Sequence, residues 1–357
     1  MLHNILHQLE LTITMNVNAF LNTVSNRSRA LPIVILYVTE GCNLQCIMCS
    51  YRTPSPKELT VAEIDVLADQ LVRFGLRQIV YSGGEPLTRR DLGEICEIFK
   101  RKKIQQTLLT NGLLLEKRSD LVPYFSEIIV SIDGSTSATH DSIRGIQSFD
   151  QILRGIERVT SGSGRPSLSL RTVVQKKNFR ELPAFVHLGR SIGVNRISFL
   201  AVDVLSDAFS RGTTNSRDDD NHILLDKEEI VEFRSIIDEM SVSFKREFES
   251  SFIAESPAKL LHIAEYFEAV LGLAPFPKNQ CNAPMVSTVI ASTGEVKPCF
   301  FLPAFGNVRN DTIPNLLNGI QAKTIRSTVR EYSLERCQTC VCTLKKNPMD
   351  ALMDNFQ

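Results

Sequence analysis

From residue 31 onward, short segments rich in Ile, Val and Leu alternate with segments of helical periodicity. Strands with nearly continuous apolar side chains are typical of a parallel sheet that is buried on both faces. The predicted strands are Ile33–Val38, Gln78–Ser82, Gln105–Thr110, Glu127–Ile132, Ser167–Val174 and Arg196–Leu200, and helices are predicted near 60–75, 89–102, 147–161 and 178–192. The alternation predicts an α/β fold, either a doubly wound sheet or a partial barrel, that binds ligands at the carboxyl ends of its strands.

The loop after the first predicted strand carries three cysteines, Cys42, Cys46 and Cys49, with the spacing C-x3-C-x2-C. Three thiolates on one short loop can hold three irons of a 4Fe–4S cube and leave the fourth iron open. An open iron can bind and reduce a small molecule, which a fully ligated electron-transfer cluster cannot do. The triplet therefore indicates chemistry at an iron–sulfur cluster.

A second group of cysteines lies near the carboxyl end, and a predicted hairpin (Val286–Ala291 and Glu295–Cys299) separates its first two members. The group consists of Cys281, Cys299, Cys337, Cys340 and Cys342. Four thiolates on a hairpin and a C-x2-C loop suit a zinc ribbon as well as an iron–sulfur cluster, so the residues alone leave both open. Cys96 stands apart in a predicted helix and is interpreted as a small buried apolar thiol.

The composition gives no reason to expect nucleic acid or a membrane as a partner. Lys plus Arg and Asp plus Glu each total 40 in the 357 residues, so the formal net charge is zero and favours neither nucleic acid nor an anionic membrane. No apolar segment approaches the roughly 20 residues of a membrane-spanning helix. The first residues lack a basic leader followed by an apolar region, so we expect no secretory signal and a cytoplasmic, oxygen-sensitive protein.

The second predicted strand ends in Ser82-Gly83-Gly84-Glu85-Pro86, where glycines without Cβ would let a ligand approach the backbone. Together with the cysteine triplet, with Thr110-Asn111-Gly112 and with Ser131-Ile132-Asp133-Gly134, this motif resembles the radical S-adenosylmethionine (SAM) superfamily over roughly residues 32–200. The resemblance implies a partial (βα)6 barrel. It also implies that SAM binds the open iron and is cleaved by one electron to methionine and a 5′-deoxyadenosyl radical.

The resemblance assigns cofactor contacts to specific residues. Glu85 and the Gly83–Gly84 backbone would hold the methionine ammonium, and Ser131 with Asp133 would face the ribose or carboxylate. Arg171 is a candidate carboxylate partner, with a surface cation as its alternative. Arg144, in a stretch that resembles the SPASM-bearing branch, has a predicted structural or SAM-proximal role, with a solvated helix start as the alternative. The full set of predicted cofactor-binding residues is Gly83, Gly84, Glu85, Pro86, Asn111, Ser131, Asp133, Arg144 and Arg171.

Behind such a core, the second cysteine group resembles a SPASM or twitch domain, which binds auxiliary iron–sulfur clusters. Five cysteines are too few for the seven of a full SPASM domain. The resemblance therefore implies one auxiliary 4Fe–4S cluster with Cys281, Cys299, Cys337 and Cys340 as ligands. The spare Cys342 is a candidate hydrogen-atom donor in catalysis.

Five regions are predicted: an N-terminal extension (1–30), the barrel core (31–202), a linker with helices (203–280), a small cysteine-rich α+β domain (281–345) and a tail (346–357). A helix is predicted at 14–24 in the extension, and the linker is predicted to begin with a loop (203–225) and to continue with helices near 226–248 and 256–271. The predicted function is dehydrogenation of a small molecule, such as a sugar or aminocyclitol, with the auxiliary cluster as electron acceptor. The alternatives are a peptide maturase, a radical epimerase that uses Cys342 and, ranked low, pyranopterin synthesis or a non-catalytic metal-binding scaffold. A reducing partner such as flavodoxin or ferredoxin is expected.

Overall fold

The computed structural model describes residues 17–18, 20–162, 164–206, 208, 222–342 and 344–345. The described residues are arranged around one β-sheet. Its strands are β1 (Ile33–Thr39), β2 (Gln78–Gly83), β3 (Gln105–Thr110), β4 (Glu127–Ser131), β5 (Ser167–Val174), β6 (Arg196–Ala201), β7 (Ser287–Ile290), β8 (Glu295–Lys297) and β9 (Gly306–Asn307). The strand order is β6-β5-β4-β3-β2-β1-β7-β8-β9.

Helices connect or flank these strands. They are α1 (Val61–Arg73), α2 (Leu92–Arg101), α3 (Ser137–Arg144), α4 (Phe149–Thr160), α5 (Leu182–Ser191), α6 (Lys227–Ser243), α7 (Lys245–Glu249), α8 (Pro257–Val270), α9 (Ala283–Val286), α10 (Ile313–Asn318), α11 (Ile320–Arg330) and α12 (Glu335–Gln338). Short 3₁₀ turns occur at Pro86–Thr88, Ser119–Tyr124 and Phe179–Glu181. Among the described residues, none of the helices combines the length and the apolar character that crossing a membrane requires.

The first six strands form a parallel sheet in which chain neighbours are also sheet neighbours. This order matches a strand–helix repeat wound in one direction, as in a partial barrel, and differs from a doubly wound sheet, whose strand order reverses. The six predicted strands agree with the observed strands to within a residue at each end. The predicted partial (βα)6 architecture is therefore confirmed, and all six carboxyl ends lie along one edge of the sheet.

Local sequence signals explain where the helices begin. The predicted capping box of α1 is present, because the Thr60 hydroxyl accepts from the Glu63 amide while the Glu63 carboxylate accepts from the Thr60 amide. Asp226 and Glu229 make the same exchange at the start of α6. The polar segment 203–225, predicted to be a loop, lies largely outside the described residues. The helices predicted near 226–248 and 256–271 are present as α6, α7 and α8.

The C-terminal hairpin extends the barrel sheet. β7 runs parallel to β1, with Ile33 opposite Ser287, and the predicted hairpin partner β8 pairs with β7 in antiparallel fashion. Gly294 turns the hairpin at a φ of +88°, a backbone conformation that side chains disfavour. The strand that leads to the cysteine loop is thus flanked by the barrel on one side and by the cysteine-rich segment on the other.

The predicted N-terminal extension packs against this C-terminal part. Residues 17–18 and 20–24 are helical, and the remainder of the helix predicted at 14–24 is outside the described residues. The buried Asn22 amide donates to the carbonyls of Ala30 and Met285. The Arg326 guanidinium of α11 is 2% exposed and donates to the Asn26 carbonyl. This segment therefore ties the start of β1 to α11.

Candidate active site

The cysteine loop begins directly after β1, at the carboxyl edge of the sheet. Its backbone is held at several points. The Cys42 amide donates to the Arg52 carbonyl at 3.1 Å, and the Gln45 amide donates to the Arg144 carbonyl at 3.0 Å. The Ile47 amide donates to the Ile143 carbonyl at 3.0 Å. The last two bonds join the loop to the C-terminal turn of α3, whose carbonyls would otherwise lack helical partners.

Gly145 makes this contact between α3 and the loop sterically feasible. It ends α3 with a φ of +79°, in the left-handed region that favours glycine. A Cβ at this position would lie 2.2 Å from the Gln45 carbonyl oxygen. The helix end and the cysteine loop can approach so closely only because residue 145 has no side chain.

The three thiols of the loop lie near one another and near two side-chain N–H donors. The thiols of Cys46 and Cys49 interact electrostatically with Cys42. Asn111 Nδ2 is 3.9 Å from Cys42 Sγ, and Arg144 Nη1 is 3.8 Å from Cys46 Sγ. Burial raises the pKa of Cys42 to about 11, so an incoming metal cluster displaces a proton from this thiol.

Gly83 and Gly84 pack against the cysteine loop rather than border an open space. A Cβ on Gly83 would lie 2.2 Å from the Thr39 carbonyl oxygen, and a Cβ on Gly84 would lie 2.3 Å from that of Gly41. The Gly84 and Glu85 amides donate to these same two carbonyls, each at 2.8 Å. The motif therefore fixes the start of the loop, a role that the sequence did not indicate.

The Glu85 carboxylate is fully buried and joins three segments. It accepts from the Thr110 hydroxyl at 2.8 Å, the Asn111 amide at 2.7 Å and the Leu87 amide at 3.0 Å. Burial raises the pKa of Glu85 to about 7, against the lowering effect of these donors. Pro86, also buried, begins the 3₁₀ turn that positions Leu87. Three of the roughly four acceptor sites of the carboxylate are thus used within the protein.

Asp133 and Arg144 form a buried ion pair next to the loop. The atoms Asp133 Oδ2 and Arg144 Nη2 are 2.7 Å apart, and the two side chains are 0% and 10% exposed. The other Asp133 oxygen accepts from the Val173 amide at 2.8 Å. Ser131, two residues earlier, is only partly buried. The structure therefore brings Asp133 and Arg144 to the cysteine loop but engages the Asp133 carboxylate with protein partners.

His140 was not singled out by sequence reasoning as a site residue, although it stands in the segment that contains Arg144. It is fully buried, and its Nδ1 is 3.3 Å from the Asp133 amide nitrogen, whose proton it accepts. Burial lowers the pKa of His140 to about 3, so the ring stays neutral. Since His140, Ile143 and Arg144 are all buried, the alternative of a solvated helix start is wrong.

Arg171 lies on the inner face of the barrel sheet, so the alternative of a surface cation is also wrong. It stands opposite Ser131 on β4 and Ser198 on β6, and directly opposed side chains share a face. Burial lowers the pKa of Arg171, although Glu255 and Cys342 act in the opposite direction. Its Nε is buried without a hydrogen-bond partner among the described residues.

All five C-terminal cysteines line one cavity of about 580 Å³. The thiols of Cys281, Cys337 and Cys340 interact electrostatically with Cys299, and burial raises the pKa of Cys299 to about 12. The amide of Cys342 donates to Cys340 Sγ at 3.4 Å. Among the described residues, no three His, Cys, Asp or Glu side chains are arranged around a point that a single metal ion could occupy.

Cys342 borders both the cavity and the barrel. Its thiol interacts with Cys340 and Cys281 on one side and with Lys259 and Arg171 on the other. Burial raises the pKa of Cys342 to about 12. The thiol therefore stays protonated at neutral pH, and it is near enough to the second cysteine group and to Arg171 of β5 for both to act on its pKa.

An aromatic group connects the two cysteine sites, and sequence reasoning missed it. The ring centroid of Tyr37, on β1, lies 6.1 Å from that of Tyr51 and 5.9 Å from that of Phe300. Burial raises the pKa of Tyr37 above its usual value, and Tyr51 raises it further. Cys49 and Cys299 also act on this phenol, so one cysteine of each group is close to Tyr37.

The donor sets fit iron–sulfur clusters at both places. At each, thiols converge, and side-chain or backbone N–H groups point at cysteine sulfurs, which is an arrangement that tunes cluster potentials. Thiols alone are also zinc ligands, but among the described residues no three such side chains surround a point that one zinc ion could occupy. In the N-terminal set, three cysteines share one loop, and the sequence of that loop contains no fourth.

Comparison with protein families gives two matches. The Radical SAM superfamily matches residues 36–189, and an iron–sulfur cluster-binding domain named SPASM matches residues 281–341. The first covers most of the barrel but ends before β6, and the second covers the five C-terminal cysteines except Cys342. The predicted resemblance is therefore confirmed for both parts of the chain.

The individual curated relatives have low sequence identity to this chain. Fe-coproporphyrin III synthase of Methanosarcina barkeri is 32% identical over 177 residues, which are 47% of this chain and 43% of that protein. The subtilosin biosynthesis protein AlbA of Bacillus subtilis is 28% identical over 295 residues, or 79% of this chain and 58% of that protein. The chain spans about half the length of the curated relatives it matches.

Solved structures agree on the fold. SuiB of Streptococcus suis, in a crystal structure with its precursor peptide SuiA, superposes with a TM-score of 0.60 at 14% identity. The superposition covers 90% of this chain and 75% of that one. At this identity the likeness concerns the fold, and it extends across both the barrel and the cysteine-rich part.

Proposed function

The chain belongs to the radical SAM superfamily and carries a C-terminal SPASM domain, and on this basis we propose that it oxidises its substrate by two electrons, with the auxiliary cluster as electron acceptor. Its cofactors are a 4Fe–4S cluster, SAM and auxiliary iron–sulfur. When bound, the first two supply a 5′-deoxyadenosyl radical, which takes a hydrogen atom from a substrate carbon. The substrate radical would then lose an electron to the auxiliary cluster and a proton to solvent, which completes the two-electron oxidation.

In this proposal the chain's own residues have separate tasks. Cys42, Cys46 and Cys49 hold the N-terminal cluster, and the segment Gly83–Glu85 fixes the loop on which these cysteines lie. Cys281, Cys299, Cys337 and Cys340 hold the auxiliary cluster. Ser131 and Arg171 face the barrel interior, where their hydroxyl and guanidinium groups suit the polar and carboxylate groups of SAM.

The observation that supports electron transfer is the position of Tyr37. Its ring lies in contact range of Tyr51, which follows the cysteine loop, and of Phe300, which follows Cys299 in the chain. Residues next to both cysteine groups therefore contact one buried aromatic ring, which supports the proposal that the two clusters serve one reaction. A cluster that only stabilised the fold would not have to lie beside the carboxyl edge of the barrel.

The substrate class that we propose is a peptide. The match to AlbA, a bacteriocin biosynthesis protein, runs through 79% of this chain. The matches to the two tetrapyrrole enzymes cover only 47% and 44% of it. Dehydrogenation of a small alcohol, such as a sugar or aminocyclitol, is the second candidate, and the five C-terminal cysteines favour it because they suffice for one auxiliary cluster only.

The first test is anaerobic incubation of iron-reconstituted protein with SAM and dithionite, with 5′-deoxyadenosine measured by chromatography. Formation of 5′-deoxyadenosine is expected even without substrate, at a low rate. A reconstituted protein that contains iron and sulfide but forms none would overturn the proposal. Peptides and small alcohols are then compared as substrates by the increase in 5′-deoxyadenosine and by a product that is two mass units lighter.

Replacement of Cys299 with serine is expected to uncouple the two halves of the reaction. The variant should lose about four irons per chain, since one ligand of the auxiliary cube is gone. SAM cleavage should continue, because the N-terminal triplet is intact, while the oxidised product falls at least about tenfold relative to 5′-deoxyadenosine. Equal product per 5′-deoxyadenosine in the wild type and the variant would exclude the auxiliary cluster as the electron acceptor.

Epimerisation is a second reaction that one observation favours, namely that the protonated Cys342 thiol lies beside Arg171 on the barrel's inner face. In deuterated water, oxidation installs no deuterium at the substrate carbon, whereas quenching by a thiol does. We expect no deuterium, and we expect Cys342→Ala to leave the product unchanged. Deuterium incorporation that disappears in Cys342→Ala would assign the reaction to epimerisation instead.

A further inference from the structure

The Arg144 side chain places a positive charge at the N-terminal cluster site. Its Nη1 is 3.8 Å from Cys46 Sγ, while its Nη2 is 2.7 Å from Asp133 Oδ2. Cys46 and Arg144 are each 8% exposed, so water screens this charge poorly. The guanidinium thus lies between a cluster ligand and a carboxylate, with one nitrogen directed at each.

A fixed charge at this position acts on the redox equilibrium of a bound cluster. Reduction adds one negative charge to the cube, and a nearby cation stabilises the more negative state. Hydrogen bonds to the cysteine sulfurs and the local charge are among the factors that set cluster potentials. We infer that Arg144 raises the reduction potential of the cluster held by Cys42, Cys46 and Cys49, and so makes one-electron reduction by a protein donor easier. This inference rests on the proposed function.

The surrounding residues hold the charge in place. The Val173 amide donates to one Asp133 oxygen at 2.8 Å, and Arg144 binds the other. The neutral His140 ring accepts from the Asp133 amide and so fixes the backbone of the same residue. A buried carboxylate with these partners orients the guanidinium, whose Nη1 is the atom that approaches Cys46 Sγ at 3.8 Å. The pair therefore presents its positive end to Cys46.

The electrostatic role can be separated from the structural one. The α3 end holds the cysteine loop through the backbone carbonyls of Ile143 and Arg144, and side-chain substitution leaves both bonds available. Arg144→Gln removes the charge and keeps an N–H donor, on a side chain that is two bonds shorter. The double variant Arg144→Gln/Asp133→Asn removes both charges, so that no unpaired buried charge remains to destabilise the fold.

The experiment is an EPR-monitored redox titration of the anaerobically reconstituted proteins, with and without SAM, because only a cluster with an open iron changes its spectrum when SAM binds. We expect Arg144→Gln to lower the reduction potential of the cluster by about 59 mV. At a given solution potential, this shift lowers the ratio of reduced to oxidised cluster about tenfold. The double variant should also titrate below the wild type. Asp133→Asn, which keeps the cation and removes the anion, should titrate above it.

The control is Arg326→Gln, because Arg326 is another buried arginine but contacts Asn26, which precedes β1. Its iron content and potential should equal those of the wild type even if its melting temperature falls. Identical potentials for the wild type, Arg144→Gln and the double variant, all with full iron content, would overturn the inference. A wild type that shows no SAM-responsive cluster would instead refute the proposed function.

Discussion

Replacing Cys46 with alanine is expected to abolish SAM cleavage. Cys46 is the most buried of the three loop cysteines, and its sulfur is the one that Arg144 approaches at 3.8 Å. With two thiolates left on the loop, a cube loses one of its three protein corners, and the expected loss is about four irons per chain. We expect the rate of 5′-deoxyadenosine formation to fall at least about a thousandfold, to the limit of detection, because the reductant of SAM is gone.

The matched control for this variant is Cys96→Ala. Cys96 is fully buried in α2, as the sequence predicted for a small apolar thiol, and it lies outside both cysteine groups. Its replacement should cost about 1 kcal/mol of stability through a small cavity and leave iron, sulfide and 5′-deoxyadenosine unchanged. Iron counting, absorption spectra and the SAM cleavage assay make the comparison. A Cys46→Ala protein with full iron content and normal cleavage would contradict the assignment of the loop.

Replacing Gly84 with alanine is expected to displace the cysteine loop without removing any ligand. The new Cβ would lie 2.3 Å from the Gly41 carbonyl oxygen and 2.7 Å from the Glu40 carbonyl oxygen, and both are backbone atoms that cannot rotate away. Separation of the strands would weaken the amide bonds from Gly84 to Thr39 and from Glu85 to Gly41. Overpacking of about 1–3 kcal/mol, together with about 1 kcal/mol for each weakened bond, gives a cost of about 3 kcal/mol or more.

We expect the apo protein to melt at a clearly lower temperature in Gly84→Ala, and the reconstituted protein to bind at most half of the wild-type iron. Gly162→Ala is the control, because the nearest atom to its Cβ is the Val159 carbonyl oxygen at 3.7 Å, an ordinary contact distance. That variant should keep the wild-type melting temperature and iron content. Wild-type values for Gly84→Ala would show that the loop is not held by this contact.

The sequence predicted the sheet well because the signal for each strand lies within the residues of that strand. Apolar runs between turn residues place β3 (Gln105–Thr110) and β5 (Ser167–Val174) at their observed bounds. It predicted less well what surrounds the site. For the stretch around Arg144 the sequence offered a solvated helix start as the alternative, whereas α3 buries His140 and Arg144, because its C-terminal turn packs on the cysteine loop.

The roles of the glycines were also hidden. From the sequence, Gly83 and Gly84 were expected to leave room for a ligand. In the structure they leave room for the backbone of the cysteine loop, where Gly41 lies 43 residues before Gly84. Tyr37 gave no signal at all, because an aromatic residue in an apolar strand is ordinary. Its position between Cys49 and Cys299 depends on the pairing of β1 with both β2 and β7, which no local pattern encodes.

What the chain determined by itself is its ligand chemistry and its repeat, because spacing within one loop and apolar periodicity are properties of short segments. Cysteine spacing located both groups of thiols, and the alternation of strands and helices indicated a parallel α/β sheet, either doubly wound or a partial barrel. Tertiary structure alone decided which distant segments meet. The contact of α3 with the loop, the Asp133–Arg144 pair beside Cys46 and the joining of the C-terminal hairpin to β1 arise from long-range pairing and burial, whose energy depends on neighbours far away in the chain.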